Sequence, residues 1–388
     1  MTINPVIENI AAEAQNWRRD IHQHPELDYD VQRTASLVAD QLRAFGCDEV
    51  ATGIGRSGVV GIIKGRGATT EKTIGLRADM DALPIHETTN LPYRSSIPGK
   101  MHACGHDGHT AMLLGAARYL TQHRDFSGIA AVIFQPAEEG GGGGKAMLDD
   151  GLMERFNIGE VYGMHNMPRL PVGSFAIRKG AFLAAADRFT IDIEGLGGHA
   201  AQPHRGVDPL LAGAQIVNAL QSIVARGVDP LDSCVVSVTK FDAGTAFNII
   251  PQTARLMGTT RTLKNETRDF AEKRITEIAK GVGAALGVSV AVDYWRGYPA
   301  TRNHPEQTDF AASIAREVVG EDRVETEAPP TMGAEDFSYM LEARPGAFIL
   351  VGNGDTAGLH HPEYDFNDAA LPYGISYWTQ LVKTALPL

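Results

Sequence analysis

Cysteine is scarce in this chain. There are three in 388 residues, Cys47, Cys104 and Cys234, far apart in the sequence. An odd, low count excludes a disulfide framework and fits a reducing compartment, so a cytoplasmic protein is expected. An excess of positive charge is also lacking: the net charge is −12. That argues against nucleic acid or an anionic membrane surface as the main partner. No stretch approaches the length of a membrane span, and there is no internal repeat. The first residues, MTINPVIENIAAEAQNWRRD, mix acids and amides with apolar residues and lack the pattern of a secretory signal. What remains is the composition of a soluble globular protein, 43% hydrophobic and 21% charged. The length suggests two or three domains at roughly 100–200 residues each.

The densest chemistry lies in MHACGHDGH, residues 101–109. His102, Cys104, His106, Asp107 and His109 fall within nine positions, and Cys thiolate and His imidazole are ligands that borderline-soft divalent metals prefer. The apolar run Ala111–Ala117 follows at once and reads as a buried helix. The cluster therefore sits where a loop enters a helix N-terminus. That position is expected to lower the pKa of Cys104 and favour its thiolate.

Taken in order, Ile7, Ile10, Ala14, Trp17 and Ile21 recur at spacings of three and four and predict an amphipathic helix over 5–22. HPEL at 24–27 ends it, because the residue before proline leaves helical space. A second helix spans about 31–45 and stops at Gly46. A strand-rich stretch, 50–80, holds VVGIIKG and TIGLRAD, with Asp79 and Asp81 at the end of the second. A helix at 107–122 precedes the apolar strand Ile129–Phe134, which runs into Glu138 and Glu139. Val161–Met164 is followed by His165, and AFILVGNG by a loop with His360 and His361. Unbroken apolar runs of this kind are strands buried on both faces. In open α/β sheets ligands bind beyond the carboxyl ends of such strands, and four strands here deliver acidic, His or Cys residues there.

Between 187 and 297 the pattern changes. RFTIDIE alternates like a half-buried strand. A helix with Leu210, Ala214, Val217, Leu220 and Val224 on one face follows, then strands at 233–241 and 253–262, a second helix, and VSVAVDYW. The order β-α-β-β-α-β is that of a ferredoxin-like unit. The fold expected is α/β: a catalytic domain, 1–186 and 298–388, with a central, mostly parallel sheet flanked by helices, and a ferredoxin-like insert at 187–297.

Cys104, His106, Glu138 or Glu139, His165 and one of His360/His361 offer more ligands than the four a single structural zinc needs. The surplus suits two metals roughly 3.5–4 Å apart with a bridging water. One of the two glutamates then remains to take the proton from that water. The glycine run Gly140–Gly144 is no phosphate loop, because Glu139 stands where the first Gly must be and Ala146 replaces Ser/Thr. The insert has polar residues of its own: His199 and His204 in GLGGHAAQPHRG, Asn248 in FNIIP and Arg261 in GTTRT. Arginine suits a substrate carboxylate through its bidentate fork.

MHACGHDGHTAMLLGAA, FQPAEEGGGG, GMHNMP, GGHAAQPH, FNIIPQTA, GTTRT and HHPEYDFND, in this order, resemble the metal-dependent aminoacylase and carboxypeptidase family. RRDIHQHPEL and RADMDALP fit as well, so the resemblance covers nearly the whole chain. It is strongest to the amidohydrolase branch of hippurate hydrolases, N-acyl-L-amino-acid amidohydrolases and indole-acetyl-amino-acid hydrolases. The resemblance implies an α/β catalytic domain, an inserted lid that often dimerises, and two divalent metals, Zn, Mn, Co or Ni. It implies Cys104 as the bridging ligand, with His106, Glu139, His165 and His360 as the others and Glu138 as general base. His360 is preferred to His361 because the family's histidine follows a Leu and stands two residues before a Pro. Asp79 takes the place of a metal-binding His of the wider family, which points to a supporting role behind the ligands. His199 resembles the lid histidine that stabilises the oxyanion, and Asn248 and Arg261 resemble residues that hold the substrate. The reaction implied is hydrolysis of an N-acyl amino acid, a small-molecule substrate. A dipeptidase or carboxypeptidase of the same family, and a binding protein with a dead centre, are the other readings.

Overall fold

The computed structural model describes residues 3–67 and 72–388. Met1 and Thr2, ahead of the first helix, and residues 68–71, inside the strand-rich stretch 50–80, lie outside them. The chain divides into two compact units. The larger comprises Met1–Gly180, Arg302–Pro329 and Asp336–Leu388; the smaller comprises Ala181–Thr301 and Pro330–Glu335.

The larger unit is built on an eight-stranded sheet. Its strands lie in the order Glu49–Ile54, Gly58–Lys64, Ile129–Gln135, Thr73–Asp79, Ile158–Pro168, Gly346–Gly354, Phe175–Ala176, Val324–Glu325. The four strands from Ile129–Gln135 to Gly346–Gly354 run parallel; the two at the first edge are antiparallel. Thr73–Asp79 is buried at every position, as a central strand covered on both faces is, so its residues do not alternate apolar with polar. The helix His106–Gln122 is buried on almost all sides. It packs against the helices Pro5–Gln23, Gln32–Phe45 and Leu371–Ala385 and against the strand Thr73–Asp79. Pro5–Gln23 begins at a capping Asn4, whose side chain accepts the Val6 N–H. Gln32–Phe45 ends at Gly46 in the left-handed region (φ +85°).

His165 lies within its strand rather than beyond the end of it. Ile158–Pro168 continues past Met164 because Gly346–Gly354 pairs with it as far as Pro168, with Leu350 opposite His165.

In the smaller unit four antiparallel strands, Cys234–Ala243, Thr253–Thr262, Ala185–Glu194 and Ser289–Arg296, lie in that order. Numbered along the chain, this is the order 2-3-1-4, and the helices Pro209–Ser222 and Asn265–Leu286 fall between the first and second and the third and fourth strands. That is the ferredoxin-like arrangement. Phe189, Ile191 and Ile193 meet Ala212, Ile216, Leu220, Ala271 and Ile275 in a separate core.

Candidate metal centre

The larger unit gathers the cluster from five segments. Asp79 closes the strand Thr73–Asp79, and Asp81 follows it. Cys104 stands two residues before the helix His106–Gln122. Glu138 and Glu139 follow the strand Ile129–Gln135, His165 projects from Ile158–Pro168, and His360 comes from the loop after Gly346–Gly354. Cys104 Sγ lies 3.4 Å from His165 Nε2. Cys104, His106 and His165 offer ligand atoms that all lie within 4.8 Å of one another, and so do Cys104, Glu139 and His360. Cys104 belongs to both sets.

Each buried imidazole is oriented through its other nitrogen. His106 Nδ1–H donates to the Asp81 carbonyl at 2.8 Å, and His165 Nδ1–H to the Asn166 carbonyl at 2.6 Å. Both leave Nε2 facing the cluster, as ligands need. His109 has no such nitrogen to offer. Its Nδ1–H donates to Asp79 Oδ1 at 2.6 Å and its Nε2 accepts the Asn166 N–H at 2.9 Å. Asp79 is likewise engaged at both oxygens, by His109 and by Arg77 Nη1 at 2.8 Å. It backs the cluster, with Oδ2 3.6 Å from His106 Nε2.

The two glutamates are held by a strained turn. Ala137 has φ +54°, a region that costs a non-glycine residue about 1–3 kcal/mol unless its surroundings enforce it. Here Ala137 N–H donates to the Asp28 carbonyl at 3.0 Å. Asp81 Oδ1 accepts the Glu138 N–H at 2.9 Å and Oδ2 the Glu139 N–H at 3.1 Å. A Cβ on Gly143 would lie 1.7 Å from the Pro136 carbonyl oxygen, so the glycine run serves to close this turn. A carboxylate oxygen of each and a ring nitrogen of His106 lie within 4.8 Å of one another, but their other contacts differ. Glu139 Oε1 lies 3.4 Å from His360 Nε2 and 3.9 Å from His106 Nε2, whereas Glu138 Oε1 accepts the Asp336 N–H at 3.4 Å. His360 is itself at φ +63°, its N–H donating to the Ala103 carbonyl at 2.7 Å. His361 stays exposed outside the cluster and accepts the Glu363 N–H.

The electrostatics correct one sequence expectation. The Cys104 thiol is pushed well above its usual range, not lowered, by burial first and then by Glu139, Glu138 and Asp79. Burial and three carboxylates outweigh a helix terminus that begins two residues on. Burial opposes a charge on His106, yet Asp79, Asp81 and Glu139 together hold its pKa up at about 10. His165 is held well below the ordinary value by burial and by His109. His360 is raised by its contact with Glu139.

The family model described as peptidase family M20/M25/M40 matches residues 75–384. The chain belongs to this family. Over 381 residues it is 44% identical to the hippurate hydrolase of Campylobacter jejuni, covering 98% of each chain. It is 38% identical to an N-acetylcysteine deacetylase of Bacillus subtilis, covering 96% of each. Among solved structures, a dinuclear metal-binding peptidase of the M20 family from Bacillus subtilis superposes with a TM-score of 0.85 at 34% identity, over 98% of this chain and 99% of that one. This member of family M20/M25/M40 is a hydrolase, a metal-dependent amidohydrolase. The cluster fits divalent metal. His106 Nε2 is fully buried with no hydrogen-bond partner among the described residues, and thiolate, imidazole and carboxylate are zinc-type donors.

In the smaller unit His199 and Asn248 are adjacent. His199 pairs with Ile249 between two short strands, and the Ala200 N–H donates to the Asn248 carbonyl at 3.1 Å. Both side chains are exposed. Arg261 lies on Thr253–Thr262, where its Nη1 donates to the Thr259 hydroxyl and the Thr260 carbonyl. No carboxylate pairs with it among the described residues. His204 sits exposed in the turn Pro203–Arg205.

Sequence reasoning passes over several residues that this cluster needs. Arg77 is fully buried and bridges Asp79, Gln135 and Asp336. Asp336 also accepts the Gly144 N–H at 2.8 Å. A charged residue inside an otherwise apolar strand, as in TIGLRAD, was the available signal for Arg77. Asp336, in GAEDF, carried none without its partner.

Proposed function

We propose that this amidohydrolase cleaves the amide bond of N-acyl amino acids, releasing a carboxylic acid and the free amino acid. Cys104, His106, Glu139, His165 and His360 would hold two divalent ions, drawn from Zn, Mn, Co or Ni, with Cys104 as the ligand common to both groups of donors. Bound there, such ions supply Lewis-acid polarisation of the substrate carbonyl and a water of lowered pKa. Glu138 takes a proton from the attacking water as its oxygen adds to the carbonyl carbon. It returns that proton to the nitrogen as the C–N bond breaks. The observation that carries this reading is the difference in the contacts of the adjacent glutamates. Glu139 turns toward His106 and His360 while Glu138 is held by the Asp336 N–H, which supports one ligand and one base.

Residues 187–297 act as the lid, with His199 donating to the oxyanion and Asn248 and Arg261 holding the substrate. The guanidinium of Arg261, which has no carboxylate partner among the described residues, supports a substrate carboxylate as its ligand. The same domain serves a homodimer. Leu231 and Phe247 are 96% and 100% exposed, and its two outer strands, Cys234–Ala243 and Ser289–Arg296, each have a free edge within their sheet. The protein works in the cytoplasm, in keeping with three unpaired cysteines.

A panel of N-benzoyl, N-acetyl, N-succinyl and indole-acetyl amino acids, read by ninhydrin, tests the substrate class. At least one should be hydrolysed faster than a plain dipeptide. Turnover of dipeptides alone would replace the reading with a peptidase. No turnover by metal-loaded protein would leave a binding protein. If His199 donates to the oxyanion, His199→Ala should lower kcat by about 10²–10³. A raised KM at unchanged kcat would make it a substrate-binding residue instead.

A further inference from the structure

We infer that Asn166 and Tyr364 form a positioning pair that holds the ligand-bearing segments in register. The inference rests on the ligand set proposed above. Asn166 follows His165 in the strand Ile158–Pro168 and is fully buried, as is Tyr364. Every polar atom of the Asn166 side chain is engaged, each by a different segment. Nδ2–H donates to the Cys104 carbonyl at 2.6 Å and to His109 Nε2 at 3.0 Å. Oδ1 accepts the Tyr364 hydroxyl at 2.7 Å. The Asn166 carbonyl accepts His165 Nδ1–H, and its N–H donates to His109 Nε2. One residue thus touches the Cys104 backbone, the His165 ring, the helix that begins at His106, and the loop that follows His360.

The orientation of the amide is determined by its partners. His109 Nε2 must be bare to accept the Asn166 backbone N–H. Exchanging Oδ1 and Nδ2 would set an amide oxygen against the Cys104 carbonyl and against that bare nitrogen. Gly105 supplies an independent observation. A Cβ there would lie 2.3 Å from Asn166 Nδ2 and 2.4 Å from the Tyr364 hydroxyl oxygen, and φ is +89°. The glycine between Cys104 and His106 is the space that this pair occupies. The chain of bonds continues through His109 Nδ1–H to Asp79 and on to Arg77, so it runs behind His106 as well. Neither Asn166 nor Tyr364 supplies an imidazole, thiolate or carboxylate atom to the cluster; the pair acts through the ligands.

Titration of metal-free protein with cobalt(II), read as affinity and as the thiolate-to-cobalt absorption band, tests this. Tyr364→Phe removes one hydroxyl and keeps the ring. Asn166→Asp puts an oxygen where Nδ2 meets the Cys104 carbonyl. Each should weaken cobalt binding by about 10–100-fold, the usual cost of losing a partner behind a ligand, and should shift the band. The thermal midpoint of metal-free protein is recorded beside it. Wild-type affinity and an unshifted band in Tyr364→Phe, whatever its midpoint, would overturn the inference, and that variant decides alone if Asn166→Asp does not fold. A band present in wild type, lost in Cys104→Ala and unmoved in Tyr364→Phe would sink the pair and leave the ligand set standing. A wild type with no such band would overturn both.

Discussion

Glu138→Gln is expected to keep its metal and its substrate affinity while losing about 10²–10⁴ in kcat, the range for a lost general base. The amide preserves the shape of the side chain, and its oxygen still accepts the Asp336 N–H. The turn is untouched, because Asp81 holds Glu138 and Glu139 through their backbone N–H groups rather than their carboxylates. What the amide cannot do is accept a proton from water. Glu139→Gln should behave differently. That side chain faces His106 and His360, so metal content should fall and added metal should restore part of the rate. A base works only when ionised, so the acidic limb of the pH–rate profile should vanish from the residual activity of Glu138→Gln and persist in metal-rescued Glu139→Gln. Metal analysis beside steady-state kinetics reads both. Loss of metal in Glu138→Gln with retention in Glu139→Gln would reverse the roles. A cost below about tenfold in both, well short of that range, would leave the hydrolase without its base.

Apolar pattern carried much of the fold into view. The helix expected over 5–22 is observed as Pro5–Gln23, and the strand 129–134 as Ile129–Gln135. Burial on both faces writes itself into consecutive residues, as in Thr73–Asp79. The helix Leu371–Ala385 is equally legible, with Ile375, Trp378 and Val382 at helical spacing on its buried face, though it carries no motif. Pattern does not report which distant segment a buried polar group meets. Arg77 and Asp336 are 259 residues apart in sequence, and neither implies the other. The left-handed backbone of Ala137 and His360 was hidden for a related reason. Alanine and histidine do not advertise positive φ as glycine does, and the strain is enforced by the Asp28 and Ala103 carbonyls, which only the fold supplies. The Cys104 thiol shows the same limit. A nearby helix start is readable in sequence, whereas three carboxylates around a buried sulfur are not.

Metal binding should release protons, and its affinity should climb steeply with pH. Without metal, His106 has a pKa of about 10 and the Cys104 thiol sits well above its usual range. Both groups therefore carry a proton at neutral pH, and both must lose it to coordinate. His165 is already neutral, being held well below its ordinary value, and Glu139, lowered, is already ionised. The sign follows. Below the pKa values of His106 and Cys104, each displaced proton adds about tenfold in apparent affinity per pH unit. From about pH 7 to 9 two protons give a slope near two, or about 10⁴ in affinity overall. The slope should be steeper at the acid end, where His360, raised by Glu139, also carries a proton. Above about pH 10, where His106 is neutral without metal, the slope should flatten. Activity lost to a chelator should accordingly return at lower metal concentration in alkaline buffer. Calorimetric titration of metal-free protein in two buffers of different ionisation enthalpy counts the protons directly. Cys104→Ala should release one fewer and bind far more weakly, since it removes the ligand common to both sets. Metal binding that releases no protons near neutral pH would mean that neither His106 nor Cys104 coordinates.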